Sequence, residues 1–186
     1  MQLEKFTIKA QEALSAAQEI ARSRSHQQLD CEHLALALAE QEGGVVPQLL
    51  PLAGVAVGRF TAALDTELNR RAKVQGSDQL VPTREFQEVL SAGLKEAKGL
   101  HDDFVSTEHL LLALLGQGSD SFRKLAASHG LKRDTLLKAL TQLRGAQRVT
   151  DQNPEGKLQS LEKYGKDLTA LARSGKIDPV IGRNDE

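Results

Sequence analysis

Glu32-His33-Leu34-Ala35-Leu36-Ala37-Leu38 is followed, 76 residues on, by Glu108-His109-Leu110-Leu111-Leu112-Ala113-Leu114. Sliding the chain along itself at that one offset, without a gap, also pairs Thr7 with Thr83, Gln11-Glu12 with Gln87-Glu88, and Leu14-Ser15-Ala16 with Leu90-Ser91-Ala92. Ala21 meets Ala97, Gln41 meets Gln117, Leu49 meets Leu125, Gly54 meets Gly130 and Ala63-Leu64 meets Ala139-Leu140. Eighteen identities fall in the 58 pairs from 7/83 to 64/140. A duplicated unit accounts for this and chance does not.

Each unit reads as four helices. Thr7 suits an N-cap, and Ile8, Ala13, Leu14, Ala17, Ile20 and Ala21 form a stripe at helical spacing. Asp30 can cap a second, short helix whose body, Leu34 to Leu38, is apolar nearly all round and therefore predicts a buried central element. A third helix over Val46 to Ala53 ends at Gly54, suited to a left-handed cap, and a fourth carries Phe60, Ala63, Leu64 and Leu68. The second unit repeats the plan over Thr83 to Leu100, Thr107 to Leu115, Ser121 to Ser128 and Thr135 to Leu143. The fold expected is all-α: eight helices in two four-helix repeats related by a pseudo-two-fold axis, covering 1–145. Lys73 to Val81, closed by Pro82, reads as an exposed connector between them.

Composition agrees. Thirty Leu and 22 Ala stand against six aromatic residues, a balance that favours helix because unbranched side chains lose little rotamer freedom there. After Gly145 the apolar period is lost, so 146–157 reads as a flexible linker. Leu158, Leu161, Leu168 and Leu171 then restore a short helical pattern in a tail, 158–186.

Several function classes are disfavoured. The net charge is −1, and residues 1–71, 72–145 and 146–186 carry 7, 10 and 7 basic against 9, 9 and 7 acidic side chains, so no segment has the excess that phosphate neutralisation on nucleic acid requires. The longest uncharged stretch, Gly43 to Gly58, is 16 residues and is broken by Pro47 and Pro51, too short for a bilayer. With no apolar run at the N-terminus and Cys31 as the single cysteine, a cytoplasmic, reducing setting is expected.

Candidate sites are few. Cys31 and His33 could make a thiol–imidazole pair or part of a metal site, but the repeat supplies an internal control: the matching positions are Thr107 and His109, and threonine is neither thiolate nor a usual metal ligand. Asp102-Asp103 and Glu108 could act as paired carboxylates, or could simply complement a helix dipole. Gly156-Lys157, Gly165-Lys166 and Gly175-Lys176 precede Leu, Asp and Ile, so none is a Walker A loop, and no catalytic residue is assigned. Two similar helical halves meeting at a seam can leave an apolar groove that receives a partner segment.

The duplicated unit with Glu32-His33-Leu34 and Ser106-Thr107-Glu108-His109-Leu110 resembles the N-terminal domain of Clp-type AAA+ unfoldases. Leu161-Glu162-Lys163-Tyr164-Gly165-Lys166-Asp167-Leu168-Thr169 and Gly175-Lys176-Ile177-Asp178-Pro179-Val180-Ile181-Gly182-Arg183 look like the opening of their first ATPase domain. Gln41 to Gly44, Pro47 to Gly54, Leu68-Asn69-Arg70, Arg144-Gly145 and Val149 are most similar to the ClpB family of protein disaggregases.

That resemblance implies a substrate-capture domain of a homohexameric, ATP- and Mg-dependent machine. Such a machine works with the DnaK chaperone system on unfolded or aggregated polypeptides. It also implies substrate-handling roles for Thr7, Asp102 and Glu108; the nearby apolar candidates are Leu90 and Phe104, with Leu94 and Leu110 assigned from the helix pattern. Pro179, Val180 and Ile181 match the segment that lines the family's adenine pocket. The alternative implied is an adaptor-docking domain of an unfoldase that feeds a protease.

Overall fold

The computed structural model describes residues 3–74, 79–145 and 147–154. A 3-10 turn, Leu3–Lys5, leads into α1 (Ile8–Ser23), α2 (Cys31–Glu40), α3 (Val46–Leu52) and α4 (Val57–Asn69). The second repeat gives α5 (Arg84–Gly99), α6 (Thr107–Gln117), α7 (Asp120–Ser128) and α8 (Arg133–Arg144). All eight expected helices form. Thr7 and its counterpart Thr83 cap α1 and α5 through bonds from Ala10 N–H and Phe86 N–H at 3.2 and 3.3 Å. Gly54 and Gly130 follow α3 and α7 at φ +82° and +76°, a conformation that a Cβ would strain.

The apolar helices take the centre. Every residue of α2 from Cys31 to Ala39, and of α6 from Thr107 to Leu114, is buried. α2 packs on α1 and α4, α6 packs on α5, α7 and α8, and α2 and α6 meet between the repeats. The outer helices cross over: α3 packs against α8, and α4 against α7. Phe60 of α4 is fully buried there, 5.7 Å from the His129 ring that follows α7. Burying a side chain of that size contributes roughly 2–3 kcal/mol.

Two short backbone pairings lock the halves reciprocally. β1 (Gln28–Leu29) runs parallel to β2 (Val81–Pro82). At the pseudo-equivalent place Phe6 bridges to Val105, also in parallel. The segment before the first helix of each repeat therefore pairs with the loop before the second helix of the other. Thr7 N–H donates to Val105 O at 2.9 Å, and Thr83 N–H to Leu29 O at 3.0 Å. Sequence pattern did not predict these pairings, since two residues are too few for a period of two to register. The connector is exposed at Lys73 and Val74, as expected, yet its last residue already belongs to β2.

The expected linker differs more. The described residues past the boundary read at Gly145, 147–154, belong to the compact unit. Residues 147–153 lie along the domain, held through their backbone and through Val149, which is 3% exposed. A segment fixed by main-chain bonds and one side chain carries no periodic signal, hence its polar sequence read as free. Residues 158–186, with Pro179, Val180 and Ile181, lie outside the described residues.

One glycine position carries a sharp expectation. A Cβ at Gly118, between α6 and α7, would sit 2.4 Å from Leu114 O and 3.0 Å from Phe122 Cδ1. Both neighbours are fixed, one as helix backbone and the other as a fully buried ring. Gly118→Ala should therefore cost about 2–3 kcal/mol, in the range for overpacked sites; a urea midpoint that does not move would refute this.

Candidate functional site

The acidic cluster named from the sequence is assembled by the way α5 ends. His101 adopts φ +59°, and Asp102 N–H closes back on Ala97 O at 2.8 Å. That closure turns the Asp102 side chain inward, where it has no solvent exposure. Oδ2 accepts from His109 Nε2 at 3.0 Å and Arg144 Nη2 at 2.5 Å, and Oδ1 accepts from Val149 N–H at 2.7 Å. His109 Nδ1 accepts from Ser106 N–H at 2.9 Å, which leaves its proton on Nε2 to face the carboxylate. Burial alone would raise the Asp102 pKa; the His109, Arg144 and Val149 donors outweigh it and hold the group down at about 2.

Arg144 also donates to Glu108 Oε1 at 3.0 Å, while Glu108 Oε2 is buried without a hydrogen-bond partner among the described residues. Ser25, at φ +58°, ends α1 in the manner of His101, and the residue delivered inward is His26 in place of Asp102. His33 Nδ1 accepts from Asp30 N–H at 3.0 Å, and His33 Nε2 lies 2.8 Å from His26 Nδ1. Arg71 pairs with Asp30 and Glu32 at 2.5 and 2.7 Å. Glu32 Oε1 further accepts from Ser119 Oγ at 2.7 Å and from Ser121 Oγ, tying the repeats together. The positions matching Ser119 and Ser121 are Gly43 and Val45, so Glu108 has no counterpart to those hydroxyls.

The remaining candidates divide by depth. Thr7, Leu90 and Leu110 are buried; Leu94 and Phe104 are half-buried. Some of them meet at Val105: Thr7 donates to its carbonyl, Phe104 precedes it, and a Cβ on Gly93 would lie 3.3 Å from Leu110 and 3.4 Å from the Val105 side chain. Ile8, expected in the apolar stripe of α1, is instead 46% exposed beside Thr7. Thus the carboxylates are buried, and Ile8, Leu94 and Phe104 are the accessible apolar side chains of this set. Sequence reading missed Arg144 as the bridge between Asp102 and Glu108. It also missed His26 and Arg71, and gave Val149 no place in the cluster, because identity at offset 76 hides roles filled by different residue types.

Cys31 does not pair with His33, whose ring faces His26, and burial pushes its thiol up to about 12, away from reactivity. Among the described residues no cluster of His, Cys, Asp or Glu could hold a metal ion, and no single helix is long and apolar enough to cross a membrane.

Each repeat also forms a groove between its first two helices, of about 530 Å³ along α1 and α2 and about 550 Å³ along α5 and α6. Glu12, Ala16, Ala37 and Gln41 line the first where Glu88, Ala92, Ala113 and Gln117 line the second. Ile20 in one stands where the other has Glu96, clamped by Arg133 at 2.8 Å. None of the candidate site residues, Thr7, Leu90, Leu94, Asp102, Phe104, Glu108 and Leu110, lines either groove.

Residues 5–129 match the model of the Clp repeat (R) N-terminal domain. The chain belongs to the Clp N-terminal domain family. This Clp N-domain is 42% identical over 191 residues to the chaperone protein ClpB of Nitratidesulfovibrio vulgaris, covering 100% of the chain and 22% of that protein. Against ClpB of Bacillus cereus it is 40% identical over 190 residues, with the same coverage. The chain thus spans about a fifth of the length of these relatives. Among solved structures, the Hsp104 N-terminal domain from Candida albicans superposes with TM-score 0.71 at 25% identity, over 80% of this chain and 97% of that one. The N-domain of ClpV from Vibrio cholerae follows the same fold, with TM-score 0.63 at 20% identity over 75% and 85% of the two chains. A Clp N-domain is a non-catalytic part of an AAA+ chaperone.

Proposed function

We propose that this Clp N-domain captures exposed apolar segments of unfolded or aggregated polypeptide for an ATP-driven, hexameric ClpB-type disaggregase, which passes them on in concert with a DnaK system. The observation that carries the reading is the apolar surface that Ile8, Leu94 and Phe104 leave accessible, with Ile8 and Phe104 flanking the backbone bond from Thr7 to Val105. Apolar groups on a preformed edge bind extended chain without demanding one sequence, and tethering to the larger machine makes weak affinity sufficient. A second reading, docking of one specific partner, is favoured by a ClpV N-domain solved in complex with a VipB peptide, whose fold is shared at TM-score 0.60.

Under the capture reading, Ile8→Ser and Leu94→Ser each weaken binding of a permanently unfolded model protein about three- to ten-fold, the equivalent of roughly 1 kcal/mol of lost apolar contact. Their melting temperatures should stay within a few degrees of the parent, since neither side chain is core. Saturable binding that both substitutions leave unchanged would overturn the site. Absence of any saturable binding by the parent chain would overturn capture itself.

A further inference from the structure

Between the start of α1 and the loop that follows α5, the domain already holds a length of polypeptide: the chain's own residues 148–152. Val149 N–H donates to Asp102 Oδ1 at 2.7 Å, and its carbonyl accepts from Asp103 N–H at 2.9 Å. Three residues on, the Gln152 carbonyl accepts from Ile8 N–H at 2.8 Å, filling one of the donors left open at the start of α1. The Gln152 side chain donates to Glu4 O at 2.9 Å. Arg148 donates through Nε to the His101 carbonyl, and its Nη2 lies 3.8 Å from Asp103. Only Val149 is buried; Arg148, Thr150, Gln152 and Asn153 are exposed.

Resting on the capture reading, we propose that this cleft is a peptide-binding site for client segments in which a basic residue precedes a β-branched apolar one, with residues 148–152 as its tethered, displaceable resident. The occupant's chemistry is set by what the resident satisfies. One residue must offer both backbone groups, to Asp102 Oδ1 and Asp103 N–H, and a small apolar side chain. A cation must precede it, facing the His101 carbonyl and the Asp103 carboxylate. A carbonyl three residues later must meet Ile8 N–H. Most of this recognition is main-chain, as when a peptide adds to an exposed strand edge, so many client sequences satisfy it. The resident holds the cleft by its effective concentration, because its tether at Gly145 is short, and with only one buried side chain a client at high local concentration can replace it.

The test uses the 186-residue chain and the capped peptide Ac-RVTDQN-NH2, a copy of residues 148–153, carrying a fluorophore for anisotropy. Val149→Asp, which sets a second carboxylate beside Asp102, should release the resident and bind the peptide at least ten-fold more tightly than the parent. In a second chain, Ile8→Cys with Gln152→Cys, the oxidised form should bind at least ten-fold more weakly than the same protein reduced, a comparison that needs no separate folding control. A peptide with Asp in place of Val should bind none of them. Equal affinity in all forms, no peptide binding by the released chain, or dimerisation by strap exchange in place of peptide binding would each overturn the proposal. The permanently unfolded protein separates the two readings. If all forms bind it alike, capture stands without the strap; if none binds it, capture itself falls, whatever the peptide does.

Discussion

Asp102→Ala is expected to destabilise the domain by about 3–5 kcal/mol, the cost of removing one partner from a buried ion pair. The carboxylate is the common acceptor of three groups that have no other among the described residues: His109 Nε2, the Arg144 Nη2 donor and the Val149 amide. Deleting it leaves the largely buried Arg144 with Glu108 and the Gln147 carbonyl, and takes away one of the bonds that hold residues 148–152. Urea unfolding followed by circular dichroism measures the loss, and a change below about 1 kcal/mol would mean that the cluster relaxes around water instead. A capture defect in an Asp102 variant would therefore report on folding first, and Ile8 and Leu94 are the cleaner probes of binding.

Acid should unfold the domain in two stages. His33 is held down to about 4, by burial first and then by His26 and Arg71, so the unfolded chain takes up a proton near pH 6.5 that the folded chain refuses. Stability should fall as pH drops from about 6.5 to about 4, by about 3 kcal/mol in total at 1.36 kcal/mol per unit. Asp102 then acts with the opposite chemistry and the same sign. Its carboxylate is depressed to about 2, so stability present above the unfolded value of about 3.8 is lost between there and about 2, by about 2 kcal/mol. His33→Gln keeps an acceptor that can reach back to the Asp30 amide but does not titrate. It should flatten the slope between pH 6.5 and 4 whatever it does to stability at neutral pH. An unchanged slope would assign the acid loss elsewhere.

The duplication and the helices were legible because burial imposes periodicity: Leu34 to Leu38 could only be a central helix, and Thr7 could only begin one. Depth was harder to read. Ile8 fits the α1 stripe by spacing yet is exposed, because it lies on the first turn, beyond the covering helices. The cluster was half legible. Asp102 and Glu108 were singled out, but Arg144, which joins them, lies 36 and 42 residues away and no local pattern announces it. Residues 147–153 were read as free because backbone bonds leave no mark on side-chain pattern.

The reciprocal pairing of each repeat's leading segment with the other repeat's loop has a further consequence. Two identical units exchanging segments across a two-fold axis would form a homodimer, and every change in one interface would be imposed on its mirror image. Joined in one chain, the units are released from that constraint while the exchange still binds them. His26 can fill the position that Asp102 fills in the other repeat, Ser119 and Ser121 can offer Glu32 hydroxyls where the matching positions are Gly43 and Val45, and Ile20 can stand in one groove where Glu96 stands in the other. The molecule keeps the rigidity of a symmetric pair and carries two different faces.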